Sequence, residues 1–141
     1  MTMSMPRMLW VIFHENPKLQ KLHIKAAYTT IRQAMCTYLP VNIMPGAACV
    51  LHNFGRDLKK NCHVHTIVTE GGMYEGKWYR FTFFPFVKLG KIHTTINEMW
   101  RDNVLEILRV SLPRTEKNAM FLGGVQRKYP KSFILTTPVP S

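Results

Sequence analysis

Leu51-His52-Asn53-Phe54-Gly55-Arg56-Asp57-Leu58-Lys59-Lys60-Asn61-Cys62-His63-Val64-His65-Thr66-Ile67-Val68 decides how this chain is read. Two apolar runs are joined by a polar connection that contains a glycine, the pattern of a β-hairpin. The second run opens His-Val-His. On a strand, side chains two apart leave the same face, about 6 to 7 Å apart along the backbone. His63 and His65 are therefore expected to aim two imidazoles at one point, the smallest geometry that grips a metal ion. His52, on the first run, is a third candidate ligand, and the hairpin register decides whether it joins them. Asp57 is near enough in sequence to add an oxygen.

Working outward, Pro45-Gly46 marks a turn before the first strand, which is expected over residues 47–54. Upstream, Asn16-Pro17 is a helix start, a capping side chain followed by proline at the first helical position. The helix it opens has its apolar stripe at Leu19, Leu22, Ala26, Ala27, Ile31, Ala34, Met35 and Tyr38. A short helix is expected over residues 7–13, and residues 1–5 could be the end of a strand. Downstream, residues 77–84 are rich in aromatic and β-branched side chains and predict a third strand, completing an antiparallel meander. A second long helix is expected over residues 87–109, with Ile96, Trp100, Val104 and Leu108 on its stripe. Residues 114–141 are expected to be irregular and basic. A β-prone run at residues 133–136 stops at Pro138. His14, His23 and His93 fall on or near helices and are expected at the surface or its boundary.

The chain has 141 residues, enough for one domain with a buried core. Lysine and arginine number 19 against eight acids, for a net charge of +11. Glu15 is the only acid before Asp57, so the excess positive charge is spread along the chain and favours a polyanionic partner, nucleic acid first. Cys36, Cys49 and Cys62 form no Cys-x-x-Cys, which excludes a zinc ribbon or dithiol redox motif and predicts reduced thiols. No apolar run is long enough to span a bilayer, and no membrane partner is expected. A cytoplasmic location follows as an expectation.

Alone, His-x-His is a common pattern on the polar side of a half-exposed hairpin. Here Arg56, Lys59 and Lys60 flank it and would draw phosphate to the same end of the hairpin. Two imidazoles with open positions suit a divalent ion acting as a Lewis acid on a phosphodiester. Trp78, Tyr79, Phe81, Phe83 and Phe84 interleave with Lys77 and Arg80. Exposed, they would stack bases and neutralise phosphates, the behaviour of a non-catalytic single-strand binding module. Alternate aromatics on a central strand are ordinarily core, so the core reading of this stripe is the stronger of the two.

The block from Val50-Leu51-His52-Asn53-Phe54-Gly55-Arg56-Asp57 through Asn61-Cys62-His63-Val64-His65 to Val68-Thr69-Glu70-Gly71-Gly72 resembles the centre of the two-tyrosine rolling-circle transposases. These belong to the HUH class of single-strand DNA endonucleases, named for His-hydrophobic-His. Asn16-Pro17-Lys18-Leu19, Met44-Pro45-Gly46 and Gly76-Lys77-Trp78 extend the resemblance, which covers residues 6–138. It implies an α+β fold: an antiparallel palm sheet, ferredoxin- or RRM-like, with helices packed on one face, expected to be incomplete at both ends. It also implies Mg²⁺ or Mn²⁺ held by His63 and His65, with single-stranded DNA of a transposon end as partner. In the family a tyrosine then attacks and becomes joined to the 5′ end of the DNA. Tyr28, Tyr38, Tyr74, Tyr79 and Tyr129 include no Tyr-x-x-x-Tyr, so no catalytic residue is assigned, and a decayed or fragmentary transposase is a further possibility. Cys62 stands where proline is usual.

Overall fold

The structure, a computed structural model, describes residues 2–38, 42–54, 60–80 and 86–134. Its elements run β1 (Thr2–Ser4), α1 (Arg7–Glu15), α2 (Pro17–Tyr38), β2 (Met44–Phe54), β3 (Lys60–Tyr74), β4 (Lys77–Arg80), α3 (Phe86–Ser111) and α4 (Glu116–Lys128). The strands form one four-stranded antiparallel sheet. β3 is its axis. β2 pairs along one edge of β3, while β1 and β4 take separate ends of the other, at residues 63–65 and 71–74. The expected meander is β2–β3–β4, and β1 is the strand end suspected at the N-terminus. The fold is α+β.

Alternation along β3 separates the two faces of the sheet. Cys62, Val64 and Thr66 are buried, while Ile67 and Thr69 are exposed on the other side with His63 half-buried among them. The buried face meets Leu9 and Phe13 of α1 and Leu19, Ala27 and Ile31 of α2. α3 lies against α2 and contributes Ile96, Trp100, Val104 and Leu108 to the same core, and Val125 of α4 joins it. A polar seam ties the two long helices: Asn103 Nδ2 donates to Thr30 Oγ1 at 2.8 Å and to Gln33 Oε1 at 3.1 Å.

Asn16 starts α2 as its sequence predicts. Its Oδ1 accepts from the Lys18 and Leu19 amides at 3.2 and 3.4 Å, satisfying two donors that the first helical turn leaves without partners. Asn16→Ala is expected to destabilise the fold by about 1 kcal/mol, read as a lower urea midpoint at unchanged slope.

Three expectations are corrected. The stripe of α2 runs through His23, which is fully buried, and Leu22 is exposed at its border. Neighbouring helical residues differ by about 100° in direction, so a stripe centred on Leu19, Ala26 and Thr30 takes in position 23 and sheds 22. Residues 116–128, expected to be irregular, form α4. Thr115 Oγ1 caps it by accepting from the Asn118 amide at 3.1 Å, and Arg101 Nε donates to the Tyr129 carbonyl at 2.9 Å to hold its far end. These contacts outweigh the poor helix propensity of Gly123-Gly124.

The third correction concerns β4, which ends at Arg80 and is exposed at all four positions. Among the described residues it pairs with the end of β3, and Trp78 and Tyr79 are exposed, not core. Phe81, Phe83 and Phe84 lie outside the described residues, as does most of the β-prone run at residues 133–136.

Candidate metal centre

The register of the β2–β3 ladder brings the histidines together. His52 stands opposite His63, and Val50 opposite His65. Directly opposed residues share a face, so all three imidazoles leave the side of the sheet turned away from the helices. Their ring centroids are 5.3 Å apart for His52–His63, 4.4 Å for His52–His65 and 4.7 Å for His63–His65. One nitrogen from each ring falls within 4.8 Å of the other two, a group that could hold a metal ion. His63 Nε2 and His65 Nε2 are already 3.0 Å apart. Ligands about 2.0 to 2.2 Å from one ion sit at about that mutual separation, so this pair already has the spacing of two ligands.

β1 supports the cluster from the other edge. Thr2 is opposite His65 and Ser4 opposite His63, and Thr2 Oγ1 lies 3.0 Å from His65 Nδ1. A hydroxyl can donate to Nδ1 or accept from it, so Thr2 holds the orientation of the His65 ring, a common arrangement behind ligating histidines. Desolvation by the surrounding atoms, followed by repulsion from His52 and His63, holds the His65 imidazole below its ordinary pKa. The neutral ring needed by a metal is thereby favoured.

His63, His65 and His52 are thus brought together. Arg56, Lys59 and Asp57 lie outside the described residues, and Lys60 begins β3 opposite Phe54. Lys77 and Arg80 are on β4, whose partners begin six residues beyond His65, about 20 Å along the strand. They belong to a different part of the sheet from the histidines. Thr2 could not be found from the sequence, because no local pattern links it to a strand 63 residues away. Burial pushes the Cys49 and Cys62 thiols up, and Cys62 Sγ donates to the Trp10 carbonyl at 3.4 Å.

An antiparallel sheet with its helices on one side and three clustered imidazoles on the other defines an α+β protein with a candidate metal centre. A family model, Y2_Tnp, described as "Putative transposase", matches residues 46–136, and the chain belongs to this transposase family. The matched span contains all three histidines. Comparison with curated proteins finds no match. None of the described helices is long and apolar enough to cross a membrane.

Proposed function

We propose that the chain is the palm of an HUH-type transposase, binding single-stranded DNA of a transposon end and one divalent metal ion on the open face of its sheet. The observation that supports this reading is the convergence of His52, His63 and His65 on that face. His63 and His65 would be the principal ligands and His52 the third, with Thr2 holding the ring of His65. Three imidazole donors suit a transition ion such as Mn²⁺ better than Mg²⁺, which favours oxygen ligands. When bound, such an ion supplies Lewis-acid polarisation of the scissile phosphate. The basic connection of Arg56, Lys59 and Lys60 would attract the strand, and the single-stranded, rolling-circle mode of transposition belongs to this same reading.

The tyrosines bear on the covalent step. Tyr28 OH donates to the Pro45 carbonyl at 2.7 Å, on the helix side of the sheet, and Tyr129 is buried against α3 and α4. Tyr79 is opposite Gly72, and Tyr74 packs edge-on against it at 6.1 Å, also away from the histidine face. None of these four hydroxyls faces the histidines, so we assign no nucleophile to this chain.

The test is a Mn²⁺ titration followed by electron paramagnetic resonance at neutral pH. Wild type is expected to take up one ion, and the His63→Ala/His65→Ala double variant to bind at least about tenfold more weakly. No detectable uptake by wild type would sink the metal reading. Incubation with single-stranded DNA and Mn²⁺ should give no covalent adduct on a denaturing gel. An adduct abolished by changing one tyrosine of this chain would identify the nucleophile denied above.

A second reading, a non-catalytic single-strand binding module, is favoured by the exposure of Trp78 and Tyr79 on β4. DNA binding that persists in chelator and in the His63→Ala variant would speak for it.

A further inference from the structure

Beyond the histidines, the open face of the sheet continues as a track. Ile67, next along β3 on that face, is 78% exposed, and Val50, opposite His65 on β2, is 53% exposed. At the far end Met73 pairs with Trp78, and Gly71 with Arg80, so Trp78 and Arg80 share this face with the histidines. Trp78 does not stand up from the sheet. A Cβ placed on Gly71 would meet the Tyr79 carbonyl oxygen at 2.5 Å and Cε2 and Cζ2 of the indole at 2.8 Å, so the ring packs closely against Gly71, in space that a side chain there would need. Trp78 is still 53% exposed to solvent.

We infer that Trp78, packed against Gly71, is a stacking platform for a base of single-stranded DNA whose phosphate backbone runs along the open face from the histidine cluster. This rests on the DNA-binding reading above and adds a second holding point about 20 Å along the strand from His65. A flat aromatic held by this packing meets any base at little entropic cost, because its own rotamer is already set. The occupant is chosen by charge. The chain carries +11, and exposed Arg80 lies two residues from the indole on the same face of the same short strand, which suits a polyanion with unpaired bases. An apolar peptide would leave that charge unmatched.

Trp78 is also a built-in reporter. Nε1 of Trp10 donates to the Met5 carbonyl and Nε1 of Trp100 to the Ser4 carbonyl, both within the fold, whereas Trp78 is the exposed member of the three. Oligo(dT) is titrated into the full chain in chelator at low salt, with tryptophan emission and fluorescence anisotropy read together. Emission should be quenched, and Trp78→Ala should weaken binding roughly 5- to 150-fold. Trp78→Phe should retain most of the affinity, and affinity for the matching duplex should not change with either variant.

If wild type fails to bind oligo(dT), the DNA-binding reading of the whole face falls. If wild type binds and Trp78→Ala binds equally well, the platform is overturned while that reading stands. Equal losses for duplex and single strand, or for Phe and Ala variants, would also overturn stacking. So would a Trp78-dependent dimer in sedimentation with DNA affinity unaltered, because the face would then be covered by a second copy.

Discussion

Lowering the pH from 7 toward 4 should remove roughly 3 kcal/mol of stability through one residue, His23. Its ring is buried between Phe13, at 5.1 Å, and Trp100, stacked at 5.3 Å and 26°. Neither ring nitrogen has a hydrogen-bond partner among the described residues. Burial, and secondarily the charge of His63, lowers its pKa from 6.5 to about 4. The folded state thus prefers the neutral ring, and the unfolded chain binds the proton first. Above 6.5 neither state is protonated, and the contribution is constant. Between 6.5 and about 4 the unfolded state alone gains the proton, and stability falls with each step of acid.

Urea unfolding across this range should show that slope in wild type, and a much shallower one in His23→Leu. The two proteins differ only at this position, so the difference between their slopes isolates His23. Parallel slopes would refute the assignment. At neutral pH His23→Leu should be as stable as wild type or more so, since it removes two buried polar atoms without partners.

Trp100→Ala should cost about 3 to 5 kcal/mol, among the largest single-residue losses available to this fold. Only 3% of Trp100 is exposed, and it fills the space between α3, His23 and the start of the chain. Its Nε1 also donates to the Ser4 carbonyl at 2.8 Å, which pins β1 to the helical layer. Trp100→Phe separates the two roles: it keeps most of the packing and deletes the hydrogen bond, for about 1 kcal/mol. Because β1 places Thr2 against His65, the Phe variant should weaken Mn²⁺ uptake more than its stability loss suggests. Urea midpoints and metal titrations on both variants check this. Mn²⁺ affinity unchanged in Trp100→Phe would disconnect β1 from the metal centre.

The legible parts of the sequence were those whose signals are local. Asn16-Pro17 announced α2, the three-and-four spacing announced both long helices, and His-Val-His put two rings on one face. His52 joined them only through the pairing of β2 with β3, which residue types alone do not set. His23 was misplaced because its polarity outweighed its position in the helical stripe. α4 was missed because Gly123-Gly124 has poor helix propensity, whereas Thr115 and Arg101 hold the helix at both ends. The aromatics of β4 read as core by residue type, whereas all four positions of that strand are exposed. Each miss is a tertiary contact overriding a local preference.

β1 gives the fold an order of assembly. The β2–β3–β4 meander and the α1–α2 pair join neighbours in sequence, whereas Thr2 meets His65 across 63 residues and Ser4 meets Trp100 across 96. Closing loops of that length is entropically the most demanding step, and three residues of strand return little until α3 is in place. β1 should therefore dock last and open first, and its amides should lead the rest of the sheet in hydrogen exchange. A chain caught before that step would hold its histidines on a finished hairpin with His65 still unbraced. Competence to grip a metal tightly would then mark the end of folding, arriving with the final strand.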